Sequence, residues 1–437
     1  MLLGSRSLLC GGIVTGALLC GSLACAENWP QWRGARHNGI SGEKNIPTKW
    51  DTKGQNVLWK LEMPGPGGAT PVVWEDQIFV TSAAGEELLL LAVKTNGKLK
   101  WQKKIGIGNK VARSDEGNYA SPSPVTDGKH VWAFVGSGDF VCYDFDGNEI
   151  WHLDIQKLYG KFNIQFGLSS TPILDGANLY LQLIHGDGDA KTKEALVVAL
   201  DKLTGKQIWK QDRPSDAYAE NEHSYASPTL YDDGQTKFLL THGADFAVAH
   251  DLHDGHEIWR TGGVNPKEKY NTALRLVTSP VTAPGLVIVP SAKNGPVLAI
   301  DPNSTGDVTN SKTARLWTRT ENTPDVSSPL IVDDIVYLCR EQGIMLTLDA
   351  KTGAEIYMER MHNHRHRASP VYADGKIYCI ARDGVVSIVK AGRKFELINE
   401  IKMDEDISAS PAISNGRIYI RSFQNLWCIG SNQVAEK

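Results

Sequence analysis

The sequence is sparing with cysteine, with basic runs and with long apolar stretches, and each shortage removes a class of function. Seven Cys stand among 437 residues, and three of them (Cys10, Cys20, Cys25) lie near the N-terminus. The other four, Cys142, Cys339, Cys379 and Cys428, are scattered through strand-like runs. They are too few and too dispersed for a disulfide framework and are read as buried thiols. No Cys-x-x-Cys-His haem attachment, no zinc-ligand spacing and no adjacent Cys-Cys pair occurs. The 46 Lys+Arg are balanced by 50 Asp+Glu without a basic run, so there is no electrostatic footprint for nucleic acid or for polybasic membrane docking. A convincing helical period is also missing beyond the first 26 residues.

One long apolar stretch exists, Leu8 to Ala26, with Arg6 ahead of it and the small residues Ala24-Cys25-Ala26 at its end. That is the layout of a secretory signal peptide, too short to span a membrane. The chain is therefore expected to be exported, periplasmic or extracellular, with residues 1–26 removed and no membrane span. Ser22-Leu23-Ala24-Cys25 loosely matches a lipobox, but Ser22 stands where Leu is usual. Ordinary cleavage after Ala26 is favoured over a lipid-modified Cys25.

What the chain has in abundance is repetition, and a repeat read correctly decides the fold. A Ser/Thr-Pro or related pair recurs at Pro71, Pro122, Pro172, Pro228, Pro280, Pro329, Pro370 and Pro411, at steps of 41–56 residues. Each Pro opens a short apolar run, a turn, two further runs and an acidic Thr-Gly turn, often followed by Trp. The third copy is the most complete, from Thr171-Pro172 to Asp201-Lys202-Leu203-Thr204-Gly205 and Trp209. β-Branched runs separated by Asp-Gly, Asn-Gly and Thr-Gly pairs read as hairpins, and 42 Gly supply the positive-φ positions those turns need.

Four strands repeated eight times predict an all-β chain: an eight-bladed β-propeller of four-stranded antiparallel blades over residues 56–430. Residues 27–55 form an N-terminal extension and 431–437 a C-terminal tail. The last copy lacks its fourth strand, and the orphan Asn56-Val57-Leu58-Trp59-Lys60 matches that strand, so it is expected to close the ring. The recurring Trp101, Trp151, Trp209, Trp259 and Trp317 read as wedges between blades.

The text Ala199-Leu200-Asp201, Thr204-Gly205-Lys206 and Trp209 resembles the PQQ-repeat, or quinoprotein-type, propeller motif, and the resemblance covers nearly all of residues 56–430. The opening Asn28-Trp29-Pro30-Gln31-Trp32-Arg33-Gly34 with Asn38-Gly39-Ile40-Ser41 is similar to the start of exported PQQ-like repeat proteins of planctomycete type. The resemblance implies one of two functions. Some members are PQQ- and calcium-dependent alcohol or sugar dehydrogenases; others bind no cofactor and act as scaffolds in outer-membrane assembly.

Loops before the first strand and between the second and third should share one face, and they are long and rich in His, Arg and aromatics. Arg113, Tyr119, Phe166, His185, Asp187, His223, Tyr225, His242, Asp245, Arg275, His366 and Arg367 are the candidate binding face. Arg113, Arg275 and Arg367 are read as able to converge on an anion. His185 with Asp187 and His242 with Asp245 could be acid–base pairs, although turn residues are the favoured reading. His362 to Arg367 is read as a solvated loop whose arginines repel a cation. No metal site and no catalytic residue is assigned. The expectation is a non-catalytic binding or scaffold module with a protein partner or a small or glycan ligand; the alternative is a dehydrogenase using PQQ and calcium.

Overall fold

The computed structural model describes Met1 and residues 27–113, 117–186 and 195–431. Eight sheets, each built on four antiparallel strands, form a propeller, with blades one to eight beginning at Val72–Trp74, Val125–Thr126, Ile173–Asp175, Thr229–Asp232, Val281–Ala283, Leu330–Val332, Val371–Ala373 and Ala412–Ser414. A short strand, Gly306–Asp307, is added to the outer edge of blade four. Among the described residues one α-helix occurs, Ile155–Tyr159, whose first turn is capped by the Asp154 carboxylate accepting from the Lys157 N–H. No described helix is long and apolar enough to cross a membrane.

The cores lie between neighbouring blades. Phe79 and Leu90 of the first blade pack with Val131 and Val141 of the second in one cluster. Alternation along the inner strands sends their two sets of side chains to the two neighbouring interfaces, so the second and third strands are largely apolar on both faces, whereas the outer strands expose polar residues.

The repeating Pro residues stand at the start of each innermost strand, where no ladder donor is needed. In blade two the equivalent residue is Pro124, ahead of Val125–Thr126, and not Pro122. Sequence spacing alone could not choose between the two members of Ser121-Pro122-Ser123-Pro124. A hydrogen-bond chain decides. The Thr70 N–H donates to the Ser123 Oγ at 2.9 Å, and Ser123 donates in turn to the Thr171 Oγ1 at 3.1 Å. The chain continues through Ser227, Ser279, Ser328, Ser369 and Ser410, each hydroxyl accepting from the blade before. The eighth link, from Ser410 back to Thr70, is not made: the buried Thr70 hydroxyl has no partner.

The outer strands of six blades, all but the sixth and seventh, carry the Trp wedge. The indole N–H groups of Trp59, Trp101, Trp151, Trp209, Trp259 and Trp317 donate to the carbonyls of Thr95, Phe145, Lys202, Leu252, Pro302 and Ala350, always in a turn of the following blade. Burial of an indole, roughly 150–250 Å², stabilises by a few kcal/mol, and the bond fixes the angle between blades. A small residue faces the wedge on the third strand: Ala92, Cys142, Ala199, Ala249, Ala299 or Cys428. Cys142 and Cys428 thus serve as small apolar residues, and all four described cysteines are buried, unpaired thiols.

The ring closes as the orphan segment implied. Val57–Glu62 pairs antiparallel with Asn425–Ile429, Trp59 opposite Cys428, and becomes the outer strand of blade eight.

The extension ahead of it has a role the sequence did not show. Trp29 exchanges two backbone bonds with Val73 of blade one, and Thr126 of blade two donates to the Pro30 carbonyl. The Leu174 N–H of blade three donates to the Gln31 side chain, and Ile40–Ser41 pairs parallel with Val371–Ala373 of blade seven. Arg33 is buried and donates to the carbonyls of Pro329 and Pro370 at 2.6 and 2.9 Å. These contacts run along the innermost strands of blades one, two, three, six and seven, so residues 29–41 stopper one end of the central channel. Gly34 and Gly39 are required there: a Cβ would meet the Trp29 ring at 3.0 Å and the Arg33 guanidinium at 2.7 Å, and both have positive φ.

Candidate functional site

With one end stoppered, the channel is a blind chamber of about 370 Å³ that opens on the loop-rich face. Its floor includes Trp32 of the stopper, its wall the ring from Thr70 to Ser410, and its mouth Phe166, Tyr225, Arg275, Asp325, Glu341, Arg365 and Arg367. The volume falls in the range of small-molecule sites.

Of the twelve candidate residues, four line this chamber: Phe166, Tyr225, Arg275 and Arg367. Arg275 lies over the Phe166 ring at 4.7 Å and beside Glu220 at 3.4 Å. Tyr225 packs against Phe166 with centroids 6.1 Å apart, and burial pushes its phenol above the usual range. Arg113 ends the strand Val111–Arg113 next to Ala112, which reaches the chamber; its side chain lies outside the described residues, so the three-arginine convergence stands on Arg275 and Arg367.

The remaining described candidates lie outside the chamber lining. Tyr119 packs where a Cβ on Gly136 or Gly167 would sit, tying two loops together. His185 bonds the Gly186 carbonyl through Nδ1 at 2.8 Å, and its expected partner Asp187 lies outside the described residues. His223 bridges to His185 across the mouth loops, and burial followed by the His185 charge lowers its pKa.

The His242–Asp245 acid–base pair is not assembled. The His242 Nε2 donates to the Pro290 carbonyl at 2.7 Å, deep between blades, and burial lowers its pKa to about 4. Asp245 occupies a tight hairpin at positive φ and accepts from Tyr270 and Asn265. Turn chemistry rather than proton transfer explains it.

The 362–367 loop is also less solvated than its charge implies. His366 is fully buried, bonded to the His364 carbonyl at 3.0 Å, with a pKa lowered by burial to about 4. His362 is held by Asp383 at 2.9 Å. Among the described residues the one group with donors close enough to share a cation is Asp251, Asp254 and His256, a half-exposed hairpin turn remote from the chamber.

The chemistry at the mouth comes from residues the sequence did not single out. Burial, followed by the neighbouring Glu341 carboxyl, raises the Asp325 pKa to about 6. The Lys293 backbone N–H donates to Asp325 at 3.0 Å. Glu341 accepts from the Arg365 Nε at 3.0 Å and lies 3.3 Å from the Arg367 guanidinium. Two neighbouring carboxyls result, one of them held by two guanidiniums.

The family model described as outer membrane protein assembly factor BamB matches residues 41–181 and 190–394. The chain belongs to this PQQ-repeat propeller family. Among curated proteins it is 26% identical over 269 residues to the quinoprotein ethanol dehydrogenase of Pseudomonas aeruginosa, covering 56% of this chain and 40% of that one. It thus spans less than half the length of that relative. Its fold is shared by BamB from Moraxella catarrhalis (TM-score 0.62, 14% identity, 87% of this chain and 99% of that one). It is shared equally by a europium-containing methanol dehydrogenase (TM-score 0.68, 11% identity, 91% and 90%). These likenesses establish a PQQ-like propeller and leave both functions of the family open.

Whether PQQ and calcium suit the chamber is a matter of its donors. Arginines and a ring of hydroxyls suit a polycarboxylate, and Trp32 is an indole within the chamber wall. Calcium needs six to eight oxygen ligands, most of them anionic or carbonyl. Glu341 is held by two guanidiniums, which place positive charge beside the two carboxyls where the ion would sit. The anionic part of the cofactor fits the donor set, and the metal does not.

Proposed function

We propose that the chain is an exported, periplasmic or extracellular, binding and scaffold module that works through its loop-rich face without catalysis. Its partner is a protein, or a small or glycan ligand seated in the chamber. The observation that carries this reading is the blind chamber itself: polar, walled by hydroxyls, and capped by arginines bonded to a carboxyl pair. The candidate histidines support it too, because His185, His242 and His366 bond backbone carbonyls instead of facing the chamber.

The second reading, a quinoprotein dehydrogenase, is favoured by one observation. Asp325, with its pKa near 6, is a carboxyl suited to take a proton close to neutral pH. The test is a dye-coupled oxidation screen of alcohols and sugars on protein incubated with PQQ and calcium. No turnover above the protein-free control is expected; sustained turnover would overturn the reading.

A further inference from the structure

The chamber combines features that select one ligand chemistry. Two guanidiniums at its mouth, Arg365 and Arg367, both contact the Glu341 carboxylate, and a third, Arg275, stands over Phe166 on the same lining. Guanidinium binds carboxylate in a planar, bidentate fork. Deeper in, the Thr70 hydroxyl is 1% exposed, lines the chamber and has no hydrogen-bond partner, and the Ser408 hydroxyl is likewise buried and unpartnered. A buried hydroxyl without a partner costs about 1–3 kcal/mol, so a ligand that supplies one is rewarded. Seven of eight positions in the serine ring satisfy their own neighbours, and the break at Thr70 is the place where an outside hydroxyl can enter.

We propose that the chamber binds a small hydroxylated carboxylate of single-sugar size, such as a hexuronic acid, by letting the ligand's carboxylate replace Glu341 on Arg365 and Arg367. The inference rests on the reading of the mouth as a binding site. The ligand's carboxylate takes the guanidiniums, its hydroxyls meet Thr70 and Ser408, and its ring lies among Phe166, Tyr225 and Trp32. When Glu341 leaves the arginines, its charge must be accommodated beside Asp325, and a proton taken up by the pair does this. The groups facing that pair are Glu341 and Asp325 themselves, the Lys293 backbone N–H and its charge, and the two guanidiniums. Binding is therefore accompanied by proton uptake and strengthens as pH falls.

The experiment is calorimetric titration of residues 27–437 with D-glucuronate, D-glucose and inorganic phosphate, at about pH 5 and about pH 8, where one coupled proton changes affinity by up to about tenfold per pH unit. The expected result is binding of glucuronate alone, tighter at the lower pH, and weakened about tenfold or more by Arg367→Gln. Arg365→Gln, which removes the other guanidinium on Glu341, should weaken glucuronate likewise should Arg367→Gln fail to fold, and Thr70→Val should weaken glucuronate without lowering the melting temperature. Equal binding of glucose would overturn the carboxylate requirement. Equal binding of phosphate would overturn the requirement for hydroxyls. Affinity independent of pH would overturn the proton coupling, and no binding of glucuronate at either pH would overturn the proposal as a whole. None of these results depends on PQQ or on turnover, so the binding-module reading is judged separately by the oxidation screen.

Discussion

The indole N–H of Trp209 donates to the Leu252 carbonyl of the next blade at 3.1 Å, and Gly255 of the same turn lies flat against that ring, its site for a Cβ 2.5 Å from an indole carbon. The pairing recurs between Trp59 and Gly97, Trp101 and Gly147, Trp151 and Gly205, and Trp317 and Gly353. Trp and Gly, some 40 residues apart and in different blades, are thus one interaction.

Substitution separates this packing from backbone strain. Gly176 also has positive φ, but nothing lies within 4 Å of a Cβ there. Gly176→Ala should cost about 1 kcal/mol from backbone strain alone. Gly255→Ala should cost about 1–3 kcal/mol more, because the ring must move. Equilibrium denaturation of both variants is the check, and equal losses would refute the pairing.

The hydroxyl ring makes an asymmetric prediction. Ser227→Ala removes the acceptor for the buried Thr171 N–H and should cost about 1–3 kcal/mol. Thr70→Val removes a hydroxyl that bonds nothing, and its melting temperature should stay level or rise. Similar destabilisation in both would show that the ring is closed in solution.

Arg33 tests the stopper. Its guanidinium ties blades six and seven through two proline carbonyls, and Arg33→Ala leaves both acceptors buried. A loss of about 2–4 kcal/mol is expected, as for two buried acceptors deprived of a charged donor. Faster hydrogen exchange confined to residues 29–41 would accompany it. Uniform exchange throughout the ring would instead mean that the segment is integral to blade stability.

Stability should fall with acid for a reason that can be counted. His37, His242 and His366 have pKa values lowered by burial to about 4, and His250 to about 3. Above the unfolded value of about 6.5 both states are neutral and these groups contribute no pH dependence. As pH falls below it the unfolded chain takes up protons that the folded chain refuses, and each histidine costs about 1.4 kcal/mol per pH unit until its folded pKa is reached. Asp325, raised to about 6, acts with the opposite sign and offsets part of this between its folded pKa and the usual carboxylate value. Urea midpoints measured from pH 7 down to pH 5 should drop steeply, and His242→Gln should flatten the slope by about one proton.

Most of the architecture was legible because propeller chemistry is local and repeated. The Pro before each inner strand, the Thr-Gly turn and the Trp of the outer strand each mark an element, and Val57–Glu62 was recognisable as the missing outer strand by its Trp. The one slip, Pro122 for Pro124, fell where two Ser-Pro pairs adjoin and only a hydrogen bond to Thr70 distinguishes them.

The site was harder to read. Arg275, Arg367, Phe166 and Tyr225 were identified because loop composition marks a face, whereas Asp325 and Glu341 were missed because single carboxylates in different loops carry no spacing signal. Histidine misled for the converse reason. His185, His242 and His366 sit beside the mouth in sequence, yet each uses its ring to satisfy a buried carbonyl. The stopper was likewise invisible, since residues 29–41 follow no repeat and their contacts lie as far as 337 residues away.

The most direct test of the account is a calorimetric titration of residues 27–437 with PQQ, in the presence and the absence of calcium. Because Arg365 and Arg367 hold Glu341 and place positive charge beside the two carboxyls, calcium should have no effect on PQQ binding. Tight binding that appears only with calcium would contradict the account and make the chamber a quinone centre.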